Sequence, residues 1–393
     1  MARLWTGIAI LMTGLITVLP PMQALRAENS PQIRKQSFGK ESDGKEADLY
    51  VLTNKNGIEV AITNYGGTVV SIKVPDRKGA FEDVVAGYDN VQDYTAGRNH
   101  FGGTIGRYAN RIGHAEFALN GVTYKLAKNN GENHLHGGIR GFDKVLWTAD
   151  DISHPQLPVL HLRYLSRDGE EGYPGNLTVS LTFALTDKNE LKIDYEATSD
   201  KDTVINLTNH SYFNLAGSEN ILGHQLTLFA SRFTPVDSGL IPTGELRRVG
   251  GTPFDFRKST AIGSRISEND EQLKRGNGYD LNWVLDAEGN GKPKLGARVI
   301  EPQTGRVLEV WTTEPAIQFY TGNSLDGSSR GKGKTYEFRS AFCLETQHYP
   351  DSPNHANFPS TLLRRGAHYR SETIYKFLRT IEETDSERPA HRQ

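Results

Sequence analysis

The stretch Leu177-Thr178-Val179-Ser180-Leu181-Thr182-Phe183-Ala184-Leu185 indicates the fold class of this chain. Apolar residues occupy every second position, and small or polar residues lie between them. This is the period of a β-strand with one buried face. Leu191, Ile193 and Tyr195 repeat the alternation after a turn at residues 187–190, so the two runs predict consecutive strands.

The same period recurs along most of the chain. Residues 58–62 and 70–74 alternate on the two sides of a turn at residues 64–67. Residues 117–126 alternate on both sides of Asn120-Gly121, and an Asn-Gly pair between alternating runs is the strongest short signal for a β-hairpin. These patterns predict many short strands joined by turns.

Helical periodicity is scarce, and the one short helix that we predict runs from Ser267 to Arg275 with Ser267 as its cap. The 393 residues include 40 glycines and 17 prolines, which suits a chain with many turns. We therefore predict a large all-β sandwich in one domain over residues 46–381. Residues 28–45 are interpreted as a linker or a loosely held N-terminal segment, and residues 382–393 as a polar tail.

Composition and charge narrow the class of ligand. The formal net charge is −2, with 45 basic and 47 acidic residues. No basic stripe with interleaved aromatic residues is present, so nucleic acid is not expected as a partner. A small, neutral, polar molecule suits this balance better.

The N-terminal residues have the order of a secretory signal peptide. Arg3 precedes the uncharged, mostly apolar segment Leu4–Leu19, and small residues follow at Ala24 and Ala27. The alternative is an uncleaved membrane anchor, but a span needs ~20 apolar residues. We expect residues 1–27 to be a signal peptide, cleaved after Ala24 or Ala27, which leaves no stable membrane anchor. The protein would then be exported, to the periplasm if the host is Gram-negative and otherwise to the medium.

Two stretches place a histidine and a carboxylate in similar settings. His210 lies within Thr208–Leu215, and Glu345 lies within Leu344–Pro350, both among hydrogen-bonding and apolar residues. A histidine and a carboxylate in a partly dry pocket can move one proton off a substrate and one onto it. The pattern therefore indicates acid–base chemistry near neutral pH.

Residues 103–112 and 133–138 offer groups that could bind a ligand. Asn110 and Arg111 provide directional donors for sugar hydroxyls, although a strand with a solvated arginine is an alternative. His134 and His136 have a spacing that could ligate a metal. The positions where such motifs carry a carboxylate hold residues 139 and 140, an isoleucine and an arginine, so we expect no metal. We expect the glycines after His136 to let backbone and ligand approach closely.

Two later stretches add polar groups near aromatic residues. Asp280 follows a glycine turn and lies beside two aromatic residues, and Gln318 begins the run Gln-Phe-Tyr-Thr-Gly-Asn. An aspartate after a glycine is often only a turn residue. We also expect Asp280 to favour the charged form of His210, and partial desolvation to raise the basicity of Glu345.

Together these stretches resemble one family, the aldose 1-epimerases or galactose mutarotases. The resemblance covers about residues 36–380 and rests on six motifs in the family's order. They are Gly-Arg-x-Ala-Asn-Arg-Ile at Gly106, Leu-His-Gly-Gly at Leu135, Thr-Asn-His-Ser-Tyr-Phe-Asn-Leu at Thr208, Gly-Tyr-Asp-x-Asn at Gly278, Gln-Phe-Tyr-Thr-Gly-Asn at Gln318 and Leu-Glu-Thr-Gln-x-x-Pro-Asp at Leu344. Leu281 departs from the pattern, since many relatives carry a histidine there.

The resemblance implies an antiparallel β-sandwich of the galactose-mutarotase type with the sugar site in a cleft on one sheet. It implies an isomerase that interconverts α and β anomers of free hexoses such as glucose and galactose by ring opening and reclosure, without cofactor or metal. By their motifs, His210 resembles the general acid and Glu345 the general base. The residues that match sugar-binding positions are Asn110, Arg111, His136, Asp280 and Gln318.

Two other classes of protein fit parts of this pattern. A glycoside hydrolase would use Asp280 and Glu345 as its pair of carboxylates. A non-catalytic sugar-binding protein would keep the aromatic and polar residues but need not keep both His210 and Glu345. Only a mutarotase speeds the optical drift of freshly dissolved α-glucose, so polarimetry distinguishes the three.

Overall fold

The structure, a computed structural model, describes residues 31–286 and 291–380. The predicted signal peptide and the predicted polar tail lie outside the described residues. Within those ranges nearly all regular structure is strand, with two short α-helices, α1 (Val91–Ala96) and α2 (Glu271–Gly276). The prediction of an all-β fold is therefore confirmed. None of the helices in these ranges is long and apolar enough to cross a membrane.

The strands and the 3₁₀ helices follow one another in short steps along the described chain. The strands are β1 (Gln32–Lys40), β2 (Glu46–Thr53), β3 (Glu59–Thr63), β4 (Thr68–Pro75), β5 (Phe81–Asp83), β6 (Thr104–Ile105), β7 (Arg111–Ile112), β8 (Glu116–Leu119), β9 (Val122–Lys125), β10 (His134–Leu135), β11 (Thr148–Asp151), β12 (Val159–Ser166), β13 (Leu177–Leu185), β14 (Glu190–Ser199), β15 (Thr203–Val204), β16 (Thr208–Asn209), β17 (Tyr212–Phe213), β18 (Gln225–Leu228), β19 (Ala230–Thr234), β20 (Arg247–Arg248), β21 (Thr260–Ala261), β22 (Asp280–Leu285), β23 (Lys294–Ile300), β24 (Arg306–Thr312), β25 (Ala316–Tyr320), β26 (Arg330–Gly331), β27 (Lys334–Thr335), β28 (Phe342–Gln347), β29 (Leu362–Leu363) and β30 (His368–Arg379). The 3₁₀ helices are Gly113–Ala115, Phe142–Lys144, Glu170–Gly172, Ile262–Ser264 and Ser352–Asn354.

Three larger sheets organise these strands. The largest has the strand order β11-β12-β13-β14-β30-β24-β23-β18-β21, the second has the order β17-β28-β25-β22-β19-β20, and the third runs from β1 to β5 in sequence. Neighbouring strands in these sheets pair antiparallel. Buried residues from all three sheets, including Val60, Leu181 and Phe319, belong to one hydrophobic core. Burial of one face of each sheet against this core stabilises the sandwich.

The alternating runs form the predicted strands. Leu177, Val179, Leu181 and Phe183 of β13 are fully buried, while the residues between them are more exposed. β8 and β9 form the predicted hairpin, with Leu119 opposite Val122. Both loop residues have positive φ, 52° at position 120 and 77° at position 121, as a two-residue type I′ turn requires.

Two local predictions need correction or refinement. The helix does not begin at Ser267: α2 starts at Glu271, and the side chain of Asp270 caps it by accepting a hydrogen bond from the backbone N–H of Gln272. Aspartate and serine cap equally well, so the sequence alone did not distinguish them. Residues 32–40, left open between a linker and a loose segment, form strand β1 and pair with β2 along its length.

A partly buried ion pair just after β28 is expected to make stability depend on pH. Nδ1 of His348 lies 2.6 Å from Oε2 of Glu314, whose other oxygen accepts a hydrogen bond from the hydroxyl of Tyr369. Burial lowers the pKa of His348, but the pairing with Glu314 outweighs it and raises that pKa above 6.5. Burial likewise raises the pKa of Glu314, and pairing with His348 outweighs it and lowers that pKa below 4.5.

We therefore expect His348→Gln to destabilise the protein most between pH 4.5 and 6.5. The carboxylate's contribution is lost as pH falls through its lowered pKa, and the histidine's is lost as pH rises through its raised pKa. The loss should be about 2 kcal/mol inside this window, as for a hydrogen bond between charged groups. Urea unfolding at several pH values measures it, and the exposed His368→Gln serves as the control. A difference that does not depend on pH would contradict this prediction.

Candidate active site

A cavity of about 350 Å³ is lined by residues of the second sheet and of the loops around residues 98–111 and 130–136. This size suits a small ligand. Of the seven site residues predicted from the sequence, six line the cavity: Asn110, Arg111, His136, His210, Asp280 and Glu345. Gln318 lies next to them and donates a hydrogen bond from Nε2 to Oδ1 of Asp280 at 2.7 Å.

The pairing of strands in the second sheet determines which side chains surround Glu345. β28 is paired on both sides, so that Glu345 lies opposite Gln318 of β25 and Cys343 lies opposite Tyr212 of β17. Side chains two residues apart on a strand point to the same face. Cys343 and Glu345 therefore face the cavity side of the sheet, and Leu344 between them packs into the hydrophobic core.

His210 is held by its backbone and by its ring. Its N–H donates to the carbonyl of Gly103 and its carbonyl accepts from the N–H of Gly102, both at 2.9 Å. The ring stacks on Tyr212 with centroids 5.0 Å apart and an angle of 13°. Nδ1 lies 3.4 Å from Sγ of Cys343. The backbone, the ring face and one ring nitrogen are thus occupied, and Nε2 is directed elsewhere.

Nε2 of His210 lies 3.5 Å from Oε2 of Glu345, and both side chains are almost completely buried. Oε2 of Glu345 has no hydrogen-bond partner among the described residues. A buried, unpaired carboxylate oxygen is costly for folding, and such groups are retained where they serve a ligand or a reaction. The pair is therefore the chemical centre of the cavity.

Burial moves the two pKa values in opposite directions. It raises the pKa of Glu345 well above 4.5, and the nearby Asp280 raises it further, while Arg111 lowers it. Burial lowers the pKa of His210 to about 3, and the neighbouring His100 lowers it as well. The expected rise in the basicity of Glu345 is confirmed.

The expected effect of Asp280 on His210 is wrong. Asp280 acts electrostatically on Glu345, whereas the carboxylate that acts on His210 is Asp143, and burial outweighs its effect. The reason is the strand order. Asp280 lies on β22, which is joined to β28 and Glu345 through β25, whereas His210 precedes β17 on the other side of β28. Burial also raises the pKa of Asp280 itself, against the opposing effects of Arg111 and Gln318.

Asn110, Arg111 and His136 are fixed to one another by short hydrogen bonds. Oδ1 of Asn110 accepts from the backbone N–H of Arg111 at 2.9 Å, and Nε of Arg111 donates to Oδ1 of Asn130 at 3.0 Å. The backbone of His136 donates to the carbonyl of Asn110 at 3.0 Å. These contacts position the arginine and the imidazole along one wall of the cavity.

The two glycines after His136 do not line the cavity, contrary to expectation, and both pack closely against other parts of the protein. Gly137 has φ of 81°, and a Cβ atom there would lie 1.8 Å from the carbonyl oxygen of Gly106. Only glycine permits both the backbone conformation and this contact. Gly137 therefore lets the His136 loop pack against the loop that carries Asn110.

His134 and His136 do not share a site. His134 is buried, and its ring contacts the hydroxyl of Tyr173 at 2.7 Å and the carbonyl of Ala127 at 2.8 Å. His136 has φ of 51°, so the chain is not extended there and the two rings diverge. The alternative that the two histidines ligate one metal was wrong, because their rings point in different directions.

A different trio, His136, His210 and Glu345, brings three possible ligand atoms within 4.8 Å of one another. The chemistry of His136 does not fit a metal. Its Nδ1 lies 3.2 Å from the backbone N–H of Asn110, which can only donate, so the proton of the neutral ring sits on Nε2. A metal ligand needs a free lone pair on the nitrogen that faces the metal. His136 is instead suited to donate a hydrogen bond into the cavity.

Leu281 has no direct effect on the cavity. It follows Asp280 on β22 and so points to the other face of the strand, where it is 1% exposed within the hydrophobic core. The departure from the family pattern at this position lies outside the lining of the cavity.

The site contains further residues that were not predicted as site residues, among them His100 and Tyr212, which line the cavity, and Cys343, which contacts His210. His100 lines the cavity and pairs with the buried Asp143, with Nδ1 2.7 Å from Oδ2. Tyr212 lies within the motif that carries His210, and Cys343 lies two residues before Glu345. The alternation of side chains along β28 could have indicated Cys343. Nothing in the local sequence indicated that His100 pairs with Asp143, because these residues are 43 positions apart.

Comparison with known proteins agrees with this architecture. The family model described as aldose 1-epimerase matches residues 48–376. Galactose mutarotase of Bos taurus is 47% identical over 323 residues, covering 81% of this chain and 91% of the relative. Aldose 1-epimerase of Escherichia coli is 38% identical over 339 residues, covering 86% of this chain and 96% of the relative.

The solved structures include galactose 1-epimerase from Lactobacillus acidophilus, with a TM-score of 0.80 and 28% identity. The match covers 89% of this chain and 99% of that one. The sheets, the buried histidine–carboxylate pair in the cavity and the relatives together lead to one conclusion: this chain belongs to the aldose 1-epimerase family and is an isomerase that interconverts the anomers of aldoses.

Proposed function

We propose that Glu345 is the general base and His210 the general acid in the interconversion of α and β anomers of free hexoses such as glucose and galactose. One observation carries the proposal: Nε2 of His210 and Oε2 of Glu345 lie 3.5 Å apart inside the cavity. In a cyclic hexose, the O1 hydroxyl and the ring oxygen O5 are both bonded to C1. Two groups that serve these atoms must therefore be close neighbours.

Opening the ring requires two proton transfers, and closing it requires two more. The carboxylate of Glu345 takes the proton of the O1 hydroxyl, the C1–O5 bond breaks, and O5 takes a proton from the imidazolium of His210. C1 becomes a free aldehyde and rotates about the C1–C2 bond. O5 then attacks the other face of C1 and returns its proton to His210, while O1 regains one from Glu345. Each transfer of this kind contributes about 10²–10⁴-fold to a rate.

The buried environment strengthens both groups for these roles. A histidine whose pKa is lowered to about 3 is a strong acid once it is protonated. A carboxylate whose pKa is raised by burial is a strong base once it is ionised. In the free protein these shifts place the single proton of the pair on Glu345, so it must pass to His210, whose Nε2 lies 3.5 Å from Oε2, before the sugar reacts. A full cycle then restores the proton without exchange with solvent.

The other predicted residues are proposed to hold the sugar. Arg111 and Asn110 offer donors along one wall, His136 offers Nε2–H, and Asp280 oriented by Gln318 offers an acceptor. Aligning C1 between acid and base is worth several orders of magnitude in rate. These groups therefore act through binding and orientation, and not by exchanging protons with the sugar.

Polarimetry on freshly dissolved α-glucose and α-galactose tests the proposal. We expect catalysed drift to anomeric equilibrium with no release of a second sugar from a glycoside. Hydrolysis of a glycoside would favour a hydrolase that uses Asp280 and Glu345. Binding without catalysed drift would favour a sugar-binding protein.

Activity should not depend on a metal. Because His136 turns a protonated Nε2 toward the cavity, the trio of possible ligands is not prepared to hold one. Extensive dialysis against a chelator should leave kcat and KM for mutarotation unchanged. Loss of activity that added zinc restores would contradict this prediction.

We propose that the mature protein is exported, to the periplasm of a Gram-negative host or otherwise to the medium, after cleavage of the signal peptide. Support comes from the order of Arg3, the apolar segment Leu4–Leu19 and the small residues Ala24 and Ala27. Intact mass of protein purified from its native host tests the proposal. A mass that retains residues 1–24 would overturn it.

A further inference from the structure

The acid–base reaction leaves unused a histidine–carboxylate pair beside the cavity, His100 with Asp143. Nδ1 of His100 lies 2.7 Å from Oδ2 of Asp143, and the two side chains are 17% and 6% exposed. Burial raises the pKa of Asp143, and the pairing with His100 outweighs this and lowers it below 3.8. A buried ion pair is weak evidence for stability, because its desolvation offsets its attraction. A role toward the ligand is therefore the better explanation.

We propose that His100, oriented by Asp143, binds the exocyclic hydroxymethyl group of the hexose and so favours hexoses over sugars that lack it. The proposal rests on the assignment of His210 to O5 and Glu345 to O1. It concerns a substrate-binding residue outside the acid–base pair.

The pairing determines what His100 offers to the cavity. Asp143 is a carboxylate, so it accepts the proton on Nδ1 and fixes the ring orientation. Nε2 remains for the ligand: it accepts a hydrogen bond from a hydroxyl when the ring is neutral and donates one when the ring is protonated. A sugar hydroxyl can satisfy either state. The ring also contacts His136 edge to face, with centroids 4.8 Å apart, so it has little freedom to turn away.

The position of His100 and Asp143 relative to His210 and Glu345 indicates which part of the sugar they contact. The neighbouring charges that act on Glu345 are Asp280 and Arg111, whereas those that act on His210 are His100 and Asp143. The rings of His100 and His210 are stacked with centroids 5.9 Å apart. The His100–Asp143 pair therefore lies at the His210 end of the acid–base pair.

In a pyranose ring, the oxygen O5 joins the two carbons that matter here. O5 is bonded to C1, which Glu345 serves through O1, and to C5, which carries the hydroxymethyl group. A residue that lies beside His210 and away from Glu345 therefore meets C5 and its substituent, O6 included.

The experiment compares three sugars on the full-length protein: glucose, 6-deoxyglucose, which lacks only O6, and xylose, which lacks the whole group. For the wild type we expect kcat/KM to be roughly tenfold higher for glucose than for the other two, as one hydrogen bond of this kind provides. For His100→Gln, which keeps a donor for Asp143, glucose should lose roughly tenfold more than the other two sugars, because any change in the electrostatic effect of His100 on His210 is common to all three. Equal wild-type values for glucose and 6-deoxyglucose would overturn the proposal without any variant.

Two further variants separate the possible failures. Equal losses of all three sugars in His100→Gln and in His100→Asn, with unchanged thermal unfolding, would also overturn the proposal. Glu345→Gln should lower kcat by about 10²–10⁴-fold for all three sugars alike, and its failure to do so would count against the acid–base assignment itself. The exposed His154→Gln is the matched control and should resemble the wild type.

Discussion

Replacing Glu345 by glutamine should lower kcat for mutarotation of α-glucose by about 10²–10⁴-fold, the contribution of a general base, with little change in sugar binding. Glutamine keeps the size of the side chain and one acceptor but has no basicity. The loss should appear in kcat, because proton transfer matters in the transition state and not in the ground state. Polarimetry on the purified variant measures kcat, and calorimetry or fluorescence measures sugar binding.

Asp280→Ala and Arg111→Ala are the contrasting variants. Both remove groups that are proposed to hold the sugar, so they should weaken binding, and they should reduce turnover through misalignment and through the loss of their electrostatic effects on Glu345. If folded Glu345→Gln protein equilibrates α-glucose at nearly the wild-type rate, Glu345 is not the base.

The same Glu345→Gln substitution should raise thermal stability near neutral pH. Because burial raises the folded-state pKa of Glu345, the folded protein binds its proton more tightly than the unfolded chain does. Stability is therefore lost as pH rises above 4.5, and the loss is complete above the folded-state pKa. Glutamine carries no such penalty. A variant that is inactive and also more stable would separate a catalytic from a structural role.

Replacing His210 by glutamine should also lower kcat by about 10²–10⁴-fold, since O5 would have to leave C1 without a proton donor. Of its two ring nitrogens, Nδ1 lies 3.4 Å from Sγ of Cys343 and Nε2 lies 3.5 Å from Oε2 of Glu345, so Nε2 is the one placed to donate the proton. The loss should be similar for glucose and galactose, whose O5 atoms are chemically alike. A loss confined to KM would mean that His210 only binds the sugar.

This variant also has a pH signature, which reports whether the imidazole is buried and neutral in the free protein. The pKa of His210 falls from 6.5 unfolded to about 3 folded, so wild-type stability decreases as pH falls below 6.5. At pH 5 this effect is about 2 kcal/mol, from 1.36 kcal/mol per unit of pKa. The stability of His210→Gln relative to wild type should therefore increase from pH 7 to pH 5. A constant difference between the two proteins would contradict the buried, neutral state of this imidazole.

The sequence by itself determined the strands and the chemistry available to the site. Side chains alternate with a period of two because of backbone geometry alone, so the runs at residues 177–185 and 117–126 predicted strands without knowledge of their partners. The loop Asn120-Gly121 predicted its hairpin for an equally local reason, the tolerance of both residues for positive φ. The ordered motifs identified His210 and Glu345 by their resemblance to a family.

Only the tertiary structure decided how those groups act on one another. The partner of β28 on each side sets which residues neighbour Glu345, and strand pairing joins segments far apart in sequence. That pairing placed Asp280 beside Glu345 instead of His210, turned Leu281 into the core, and brought Asp143 to His100. Burial then shifted the pKa values of His210 and Glu345 in opposite directions. Burial and electrostatic coupling depend on distances in space, which no period or spacing along the chain contains.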